Sequence, residues 1–340
     1  MNRRGFLTLV SSGLLVPEVL TAEHHVISAD PLEVEFDLNS LRGRYTSVED
    51  FYVRNHHDVP PDIDKATLRV EGEVEQAREL ALADLASLPK RELGAVLECA
   101  GNRVGASGLI SNGLWSGWKL QDVLALARPT PRAAHLHLRG RDGYQRSVPL
   151  ERASDSMLVS DLNGRPLTRQ HGAPCRALFP GWFGMDSVKW LKSVVVAREP
   201  LPREGDTYQE IRKMTTGEIE RQPLPRLPVK SVITDPMAGA VMKRGVVGIR
   251  GLAWSGTGKI SSVEVSVNKG ATWREAEVEP SRDLEWWMWK ATLEFAQPGA
   301  VELVVRARDS EGSQQPSERD PLRLDGYANN WYHRVRCVVV

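Results

Sequence analysis

The sequence predicts a mixed α+β domain followed by an all-β sandwich of immunoglobulin type. Its 340 residues exceed what one hydrophobic core usually holds, which favours two domains. Between residues 198 and 228 five prolines surround a polar stretch, a composition typical of an extended connection between domains. Strands and short helices interleave before this stretch without a repeating βαβ unit, whereas period-two strands follow it without a helix. We therefore expect domains at 26–225 and 226–340.

Apolar runs and helical spacings assign the elements of the first domain. Strands are predicted at 67–74, 93–97, 134–138, 144–150, 157–162, 173–179 and 188–197. Short helices are predicted at 80–88, which Pro89 ends, and at 118–127, which Pro129 follows closely. The dipeptides Asp142-Gly143 and Asn163-Gly164 predict tight turns, the first of them within a hairpin.

Alternation of apolar and polar residues assigns the second domain. Strands are predicted at 246–254, 263–267, 273–278, 286–293 and 301–307, with short turns between them. Several short strands at this spacing are typical of an antiparallel sandwich. The group Trp286, Trp287 and Trp289 suggests a carbohydrate-binding face, but aromatic residues serve more often in cores and interfaces. We assign them to packing between the domains or across a dimer.

The composition is that of a soluble globular protein, with 41% apolar and 26% charged residues. The 44 basic and 44 acidic residues balance, so no global positive field favours nucleic acid or an anionic membrane. Any positive potential must be local, inside a cleft. Cys99, Cys175 and Cys337 stand far apart without a CxxC pair, which excludes zinc knuckles, cysteine-ligated iron–sulfur clusters and attached c-type haem.

The N-terminus resembles a twin-arginine export signal. Arg3-Arg4 stands directly before an apolar stretch at 6–16 that is too short and glycine-broken to span a membrane in the mature protein. This route exports proteins that are already folded, often around an inserted cofactor. We expect residues 1–25 to be the signal, cleaved near Ala22 or Ala29, and the mature chain to be periplasmic without a membrane span.

A single cysteine follows the apolar run at 93–97 and opens the loop Glu98-Cys99-Ala100-Gly101-Asn102-Arg103. Glycines after it keep the backbone bare, so that a bulky ligand can approach closely. A lone cysteine is more often a small buried hydrophobe, and we read Cys175 and Cys337 in that way. An isolated thiolate at Cys99 suits a metal that brings most of its other ligands with it.

Three further stretches join this loop as candidates for chemistry. They are Arg54-Asn55-His56, the run 171–176 and Ser187-Val188-Lys189-Trp190. Together with the cysteine loop they resemble the sulfite oxidase family of molybdenum-pterin enzymes. Further matches in the same order lie at 163–167, 228–231, 251–256 and 331–335, so the resemblance covers nearly the whole chain after the signal.

The resemblance implies a sulfite-oxidase-type molybdopterin-binding domain, followed by a domain that forms a homodimer. The soft thiolate of Cys99 would be the protein ligand of the molybdenum. Arg176 and Lys189 are suitable donors to a cofactor phosphate, and Ser187 adds a hydroxyl. The residues implied to bind the cofactor, which carries a nucleotide in some members, are Tyr52, Val53, Arg54, Asn55, His56, Cys99, Asp142, His171, Arg176, Ser187, Val188 and Lys189.

The resemblance also implies catalytic roles for Cys99, Arg54, His56 and Tyr208. Arg54 would hold a small sulfur oxyanion beside the metal, and His56 would tune that field through its own protonation. Tyr208 is the tyrosine nearest to the family's catalytic position, which itself falls on Lys213. The implied reaction oxidises sulfite to sulfate by oxo transfer. Because the sequence has no haem motif, we expect an external acceptor such as cytochrome c to take the electrons.

Two positions depart from the family pattern. Val104 stands where sulfite-oxidising members usually carry another arginine, and Asp325 stands where the C-terminal region generally supplies one. A pocket without these arginines would suit a less charged or carrier-bound sulfur group, as in the related sulfane dehydrogenases, and an S-oxide reductase is a further alternative. A cofactor-free periplasmic binding or assembly protein is the alternative from another class. The cysteine loop and the paired arginines argue against that last alternative.

Overall fold

The computed structural model describes residues 25–63, 67–105, 107–202, 208–282 and 284–340. The predicted export signal and the cleavage position at Ala22 lie outside these ranges, apart from residue 25. Within the described ranges no helix combines the length and the apolarity that crossing a bilayer requires.

The part of the chain before residue 225 is built mainly of strands. They are β1 (His25–Ala29), β2 (Leu32–Asp37), β3 (Val53–Arg54), β4 (Thr67–Gly72), β5 (Arg78–Ala81), β6 (Arg91–Glu98), β7 (Ser107–Gly108), β8 (Ile110–Lys119), β9 (His135–Gly140), β10 (Gln145–Pro149), β11 (Met157–Leu162), β12 (Arg165–Pro166), β13 (Arg176–Leu178), β14 (Leu191–Ala197), β15 (Gln209–Lys213) and β16 (Ile219–Pro223).

These strands form three sheets and one separate hairpin within the described residues. The first sheet has the order β1-β2-β3, with β7 also paired to β2. The second has the order β10-β9-β14-β4-β5, in which only β14 and β4 run parallel. The third has the order β12-β11-β8-β6, with β13 paired to β11. Strands β15 and β16 form the hairpin.

Helices are few and short in the described part of the chain, so the mixed α+β expectation holds only coarsely. The helix predicted at 118–127 is α1 (Leu120–Ala125), and β8 runs directly into it. The short helix predicted at 80–88 is a 3-10 turn, Leu82–Ser87, that directly follows β5; just before it the Ala81 N–H donates to Asp84 Oδ2 at 2.8 Å. The other 3-10 turns are Leu38–Ser40, Leu150–Asp155, Arg169–His171 and Gly184–Asp186.

The two predicted tight turns are confirmed. Asn163 and Gly164 adopt φ values of 52° and 73° and join β11 to β12, whose residues Leu162 and Arg165 pair directly. Asp142 and Gly143 turn the chain between β9 and β10. Positive φ at both central residues matches the right-handed twist of a hairpin, and asparagine and glycine tolerate it best.

The stretch predicted as an extended connection contains the hairpin of β15 and β16. Its turn closes where the Met214 N–H donates to the Glu218 carbonyl at 2.8 Å, with Gly217 at a φ of 91°. Pro223 is the last residue of β16, and the prolines at 200, 202, 225 and 228 lie outside the hairpin. The sequence missed it because its strands are short and largely polar, without the apolar alternation that signals a strand.

The part of the chain after residue 225 is a sandwich of two sheets around a common apolar core. One sheet has the order β17-β19-β23-β22 and the other β18-β25-β24-β20-β21. The strands are β17 (Lys230–Asp235), β18 (Val241–Met242), β19 (Gly245–Trp254), β20 (Ile260–Ser266), β21 (Arg274–Glu275), β22 (Glu277–Glu279), β23 (Trp287–Phe295), β24 (Gly299–Asp309) and β25 (His333–Val339).

The two parts share one buried cluster, which lies beneath the cysteine loop. Phe51 and Trp115 from the first part pack in it with Trp254 and Trp286 from the second. The indole of Trp286 donates to the carbonyl of Arg44 at 2.7 Å, so this tryptophan joins the two parts as predicted. Trp287 and Trp289 instead pack against the core of the sandwich. Burial of so much aromatic surface between the parts fixes their relative position.

Candidate active site

One cavity collects nearly all the residues that the sequence singled out. Val53 is the exception, and it keeps the neighbouring Arg54 in place by pairing with Val34 of β2. The predicted residues that line the cavity are Tyr52, Arg54, Asn55, His56, Cys99, Asp142, His171, Arg176, Ser187, Val188, Lys189 and Tyr208.

Strand ends from three sheets converge on this cavity. Cys99 directly follows β6, Arg54 ends β3, and Arg176 begins β13. The turn between β9 and β10 contributes Asp142, whose carboxylate accepts the Tyr144 N–H at 3.2 Å and whose pKa is raised by burial. Residues this far apart in sequence meet only because the sheets pack together, so the site depends on tertiary structure.

The Cys99 thiol is free and half-buried in the cavity wall. Its backbone is fixed on both sides, since its N–H donates to Leu109 O and its carbonyl accepts from the Asn102 N–H, both at 2.9 Å. Burial raises the pKa of the thiol, while the Gly101 N–H and the positive charge of Arg54 act in the opposite direction. By contrast, Cys175 and Cys337 are buried among packed side chains, as predicted.

Arg176 places a buried guanidinium against the cavity. Its Nη1 donates to His171 O at 3.2 Å and its Nη2 to Ser187 O at 2.8 Å, while Nε has no partner among the described residues. Burial lowers the pKa of Arg176 to about 10. A buried cation held only by neutral carbonyls is costly unless an anion joins it. The arrangement fits a negatively charged group in the cavity.

Lys189 supplies a second cation to the same wall. Its ammonium donates to Asn55 Oδ1 and, at 2.8 Å, to Gln170 O. Burial, and then the neighbouring Arg176, holds the pKa of Lys189 well below its usual range. His171 beside it is neutral, because burial lowers its pKa to about 3, and its Nε2 lies 3.1 Å from Val48 O. The net charge of this wall therefore comes from Arg176 and Lys189.

Arg54 faces the cavity but already has a carboxylate partner. Glu33 lies directly opposite it in the pairing of β2 and β3, and the two side chains form an ion pair. The Arg54 side chain is 29% exposed and that of Glu33 is 17% exposed. The guanidinium that is expected to hold a substrate anion therefore already shares its charge with Glu33.

His56 and Tyr208 meet in the cavity wall. The Tyr208 hydroxyl lies 2.7 Å from His56 Nε2. Burial, and then the positive charges of Arg54 and other neighbours, lowers the pKa of His56 to about 4, and burial raises the pKa of Tyr208. His56 is therefore neutral near pH 7 in the cavity without a bound anion, and the role of its protonation in tuning the field stays a prediction.

The structure shows where the residues that depart from the family pattern lie. Tyr208 lines the cavity, whereas Lys213 lies exposed at the end of β15. Neither Val104 nor Asp325 lines the cavity. Val104 faces a separate groove, and Asp325 accepts the backbone N–H groups of Ile211 and Tyr327. These two departures from the family pattern therefore lie outside the cavity wall as the structure describes it.

Sequence reasoning assigned no site role to Tyr144 or Trp190, which line the cavity. Tyr144 donates to Met185 O at 3.1 Å, and its ring centroid lies 4.7 Å from that of His56. Trp190 holds a φ of 49°, which is unusual for a bulky residue, and its indole donates to Arg169 O at 2.8 Å. For Trp190 the only signal was its place in the run that begins at Ser187. Nothing in the sequence marked Glu33.

Comparison with known proteins places this fold and cavity in a class. Residues 56–204 match the oxidoreductase molybdopterin binding domain, and residues 221–339 match the Mo-co oxidoreductase dimerisation domain. Mitochondrial sulfite oxidase from Mus musculus is 35% identical over 332 residues, which cover 85% of this chain and 61% of the mouse protein. Sulfite oxidase from Gallus gallus is 32% identical over 351 residues, covering 91% of this chain and 76% of the chicken protein.

A solved structure agrees over almost the whole length. The sulfane dehydrogenase SoxCD from Paracoccus pantotrophus superposes with a TM-score of 0.83 at 25% identity, covering 97% of this chain and 93% of that one. The class is thus that of molybdenum-pterin oxidoreductases. Within it, this chain belongs to the sulfite oxidase family.

The residues of the cavity fit the molybdenum-pterin cofactor of this family. The unpartnered Nε of buried Arg176 and the ammonium of Lys189 form an anion-binding wall of the kind that a cofactor phosphate needs. The Cys99 thiol offers a soft ligand in the same cavity.

Proposed function

We propose that this protein oxidises sulfite, or a related sulfur oxyanion, to sulfate and passes the electrons to an external acceptor such as cytochrome c. The observation that carries the proposal is the presence of the Cys99 thiol, Arg54 and the Tyr208–His56 pair in one cavity. Sulfite oxidase relatives support it, although the chain spans 61% of the length of the mouse and rat enzymes.

When bound, the cofactor supplies oxygen-atom transfer and two-electron redox chemistry. Cys99 would hold the metal, and Arg176 and Lys189 would hold the anionic part of the pterin through charge-assisted hydrogen bonds. Arg54 attracts the substrate anion to the cavity as it exchanges part of its pairing with Glu33 for the substrate. The Tyr208 hydroxyl, kept protonated by its raised pKa, donates a hydrogen bond to oxygen atoms in the cavity.

A second candidate is the oxidation of a less charged or carrier-bound sulfur group. Two observations favour it: Glu33 already compensates the positive charge of Arg54, and neither Val104 nor Asp325 adds a cation to the cavity. The similarity to the sulfane dehydrogenase SoxCD points in the same direction. Reduction of an S-oxide is a third candidate. It would use the same residues, with the oxygen atom leaving the substrate instead of being added to it.

The experiment that separates these candidates is a steady-state assay of the holoenzyme with sulfite, thiosulfate and an S-oxide. Reduction of cytochrome c or ferricyanide that saturates with sulfite in the micromolar range supports sulfite oxidation. Turnover only with a sulfane-sulfur compound would favour the second candidate. Oxidation of a reduced dye by the S-oxide alone would favour the third.

The proposal also covers the cellular location and the oligomeric state of the protein. The paired Arg3-Arg4 supports export to the periplasm by the twin-arginine route, with the mature protein beginning near residue 25. The match to the dimerisation domain supports a homodimer formed by an immunoglobulin-type sandwich, with domain boundaries near 225. Fractionation of cells with the natural and an Arg3→Lys/Arg4→Lys chain tests the route, and light scattering of the holoenzyme tests the assembly.

A further inference from the structure

The second part of the chain reaches across to the cysteine loop and ties down its backbone. The Ala328 N–H donates to Ala100 O at 2.9 Å, and Asn329 Nδ2 donates to Asn102 O at 3.1 Å. Lys230 Nζ donates to Arg103 O at 3.1 Å. Three carbonyls of the loop that presents Cys99 are therefore held by the sandwich rather than by the domain in which the loop lies.

The side chain of Glu98, the residue before Cys99, is held by the same sandwich. Its Oε1 accepts from Lys230 Nζ at 2.7 Å and its Oε2 accepts from the indole of Trp254 at 2.8 Å. Asn102 Nδ2, at the other end of the loop, donates to Oε1 at 2.9 Å. The ion pair is sealed from water, since the Lys230 and Glu98 side chains are 1% and 3% exposed.

Sheet pairing explains why both donors reach one carboxylate. Lys230 of β17 and Trp254 of β19 are directly opposite partners in the antiparallel pair of strands. Directly opposite residues project from the same face of a sheet, so the ammonium and the indole arrive together. The next residue, Ser231, points away and accepts from the Trp289 indole inside the sandwich. The alternation of one strand thus divides its side chains between the loop and the core.

We propose that Lys230 is a positioning residue for the metal-binding thiolate, which fixes the Cys99 loop through Glu98 and Arg103 and neutralises the carboxylate beside that thiolate. The sandwich therefore completes the metal site in addition to its role in assembly. This inference rests on the proposed role of Cys99 as metal ligand. A buried carboxylate next to a ligand changes the charge that the metal experiences, and its partner cancels that change.

The test uses two single variants of the holoenzyme, Lys230→Met and Glu98→Gln. Lys230→Met leaves the carboxylate uncompensated, which favours the more oxidised metal and moves its midpoint potential to more negative values. Glu98→Gln leaves the ammonium uncompensated and moves the potential in the positive direction. The double variant removes both charges and returns the potential close to that of the natural protein. A merely structural pair would not give opposite signs.

The matched control is Arg306→Met. It removes the partly exposed ion pair of 2.7 Å between Arg306 of β24 and Glu264 of β20. It is expected to leave the potential unchanged. Potentials of Lys230→Met and Glu98→Gln that stay at the natural value, or shift with one sign, would overturn the inference.

Where a single variant with an uncompensated buried charge does not fold, the double variant decides. It is expected to melt near the natural protein but to lose molybdenum to a chelator about tenfold faster, because the loop has lost two of its ties. Release at the natural rate would overturn the inference. Retention of molybdenum by Cys99→Ser would instead overturn the proposed function, so the two failures are distinguishable.

Discussion

The Tyr208 hydroxyl lies 2.7 Å from His56 Nε2, although 152 residues separate the two along the chain. His56 belongs to the loop after β3, and Tyr208 immediately precedes β15. Because the pKa of His56 is lowered to about 4 and that of Tyr208 is raised, both groups are neutral near pH 7. In the tautomer that carries its proton on Nε2, His56 donates to the Tyr208 oxygen, and the hydroxyl hydrogen stays available to donate in the cavity.

Replacement of Tyr208 tests this donor. Tyr208→Phe is expected to lower kcat by about 10- to 100-fold with a smaller change in KM, because a donor to a developing charge is lost. The matched control is Tyr327→Phe, whose ring packs 5.3 Å from that of Tyr208 but does not line the cavity. Steady-state kinetics with sulfite measure both. Equal losses in the two variants would show that the Tyr208 hydroxyl has no specific role as a donor.

Glu33 sets the charge that Arg54 offers to a substrate. Glu33→Gln is expected to lower KM for sulfite about fivefold, since an ion-pair partner of this kind competes by roughly 1 kcal/mol. Glu35→Gln is the matched control, because this residue of the same strand faces His25 instead. KM measured at low and at high salt checks the effect. A raised KM in Glu33→Gln would mean that Glu33 positions Arg54 rather than competing for it.

The buried guanidinium of Arg176 is expected to destabilise the folded protein when no cofactor is bound. Arg176→Met should lower the pterin content per chain about tenfold, since a charge-assisted phosphate contact is lost. The cofactor-free variant should melt at or above the cofactor-free natural chain, because a buried unpaired cation has been replaced by an apolar side chain. Arg226→Met, which removes a contact with Gly256 O, serves as control. A large fall in both quantities for Arg176→Met would indicate a structural role alone.

His333 is expected to cause part of the loss of stability of the sandwich at acidic pH. Its Nδ1 accepts the Ile233 N–H at 2.9 Å, and burial, followed by the charge of Lys230, lowers its pKa from 6.5 to about 4. Because the unfolded chain binds this proton more readily, the stabilisation is complete above pH 6.5 and is lost as the pH falls toward 4. The loss from this residue between pH 7 and pH 4.5 is about 2 kcal/mol.

His333→Asn keeps an acceptor near the position of Nδ1 but cannot titrate. Its free energy of unfolding in urea is therefore expected to fall less than that of the natural protein between pH 7 and pH 4.5. Equal falls in the two proteins would contradict the lowered pKa of His333.

Local chemistry made much of the site predictable from the sequence. The Asn163-Gly164 turn, the hairpin at Asp142-Gly143 and the loop at Cys99 each carry their signal in a few adjacent residues. These signals located the turns and the thiol before any tertiary contact was considered.

Long-range pairing produced what the sequence did not predict. Glu33 meets Arg54 only because β2 pairs with β3, and Lys230 meets Glu98 only because the sandwich docks on the cysteine loop. The choice between Tyr208 and Lys213 likewise depended on where the hairpin of β15 and β16 begins. No local pattern predicts such contacts, because each contact joins two distant segments and neither segment alone carries a signal for it.

The central claim is that the Cys99 thiolate binds a molybdenum-pterin group in this cavity. The most direct test is the molybdenum content of protein expressed with active cofactor synthesis, for the natural chain, Cys99→Ser and the control Cys337→Ala. The account predicts about one molybdenum per chain in the natural protein and in Cys337→Ala, and a loss of most of it in Cys99→Ser. A folded natural chain without molybdenum, or a Cys99→Ser variant that retains it in full, would contradict the account.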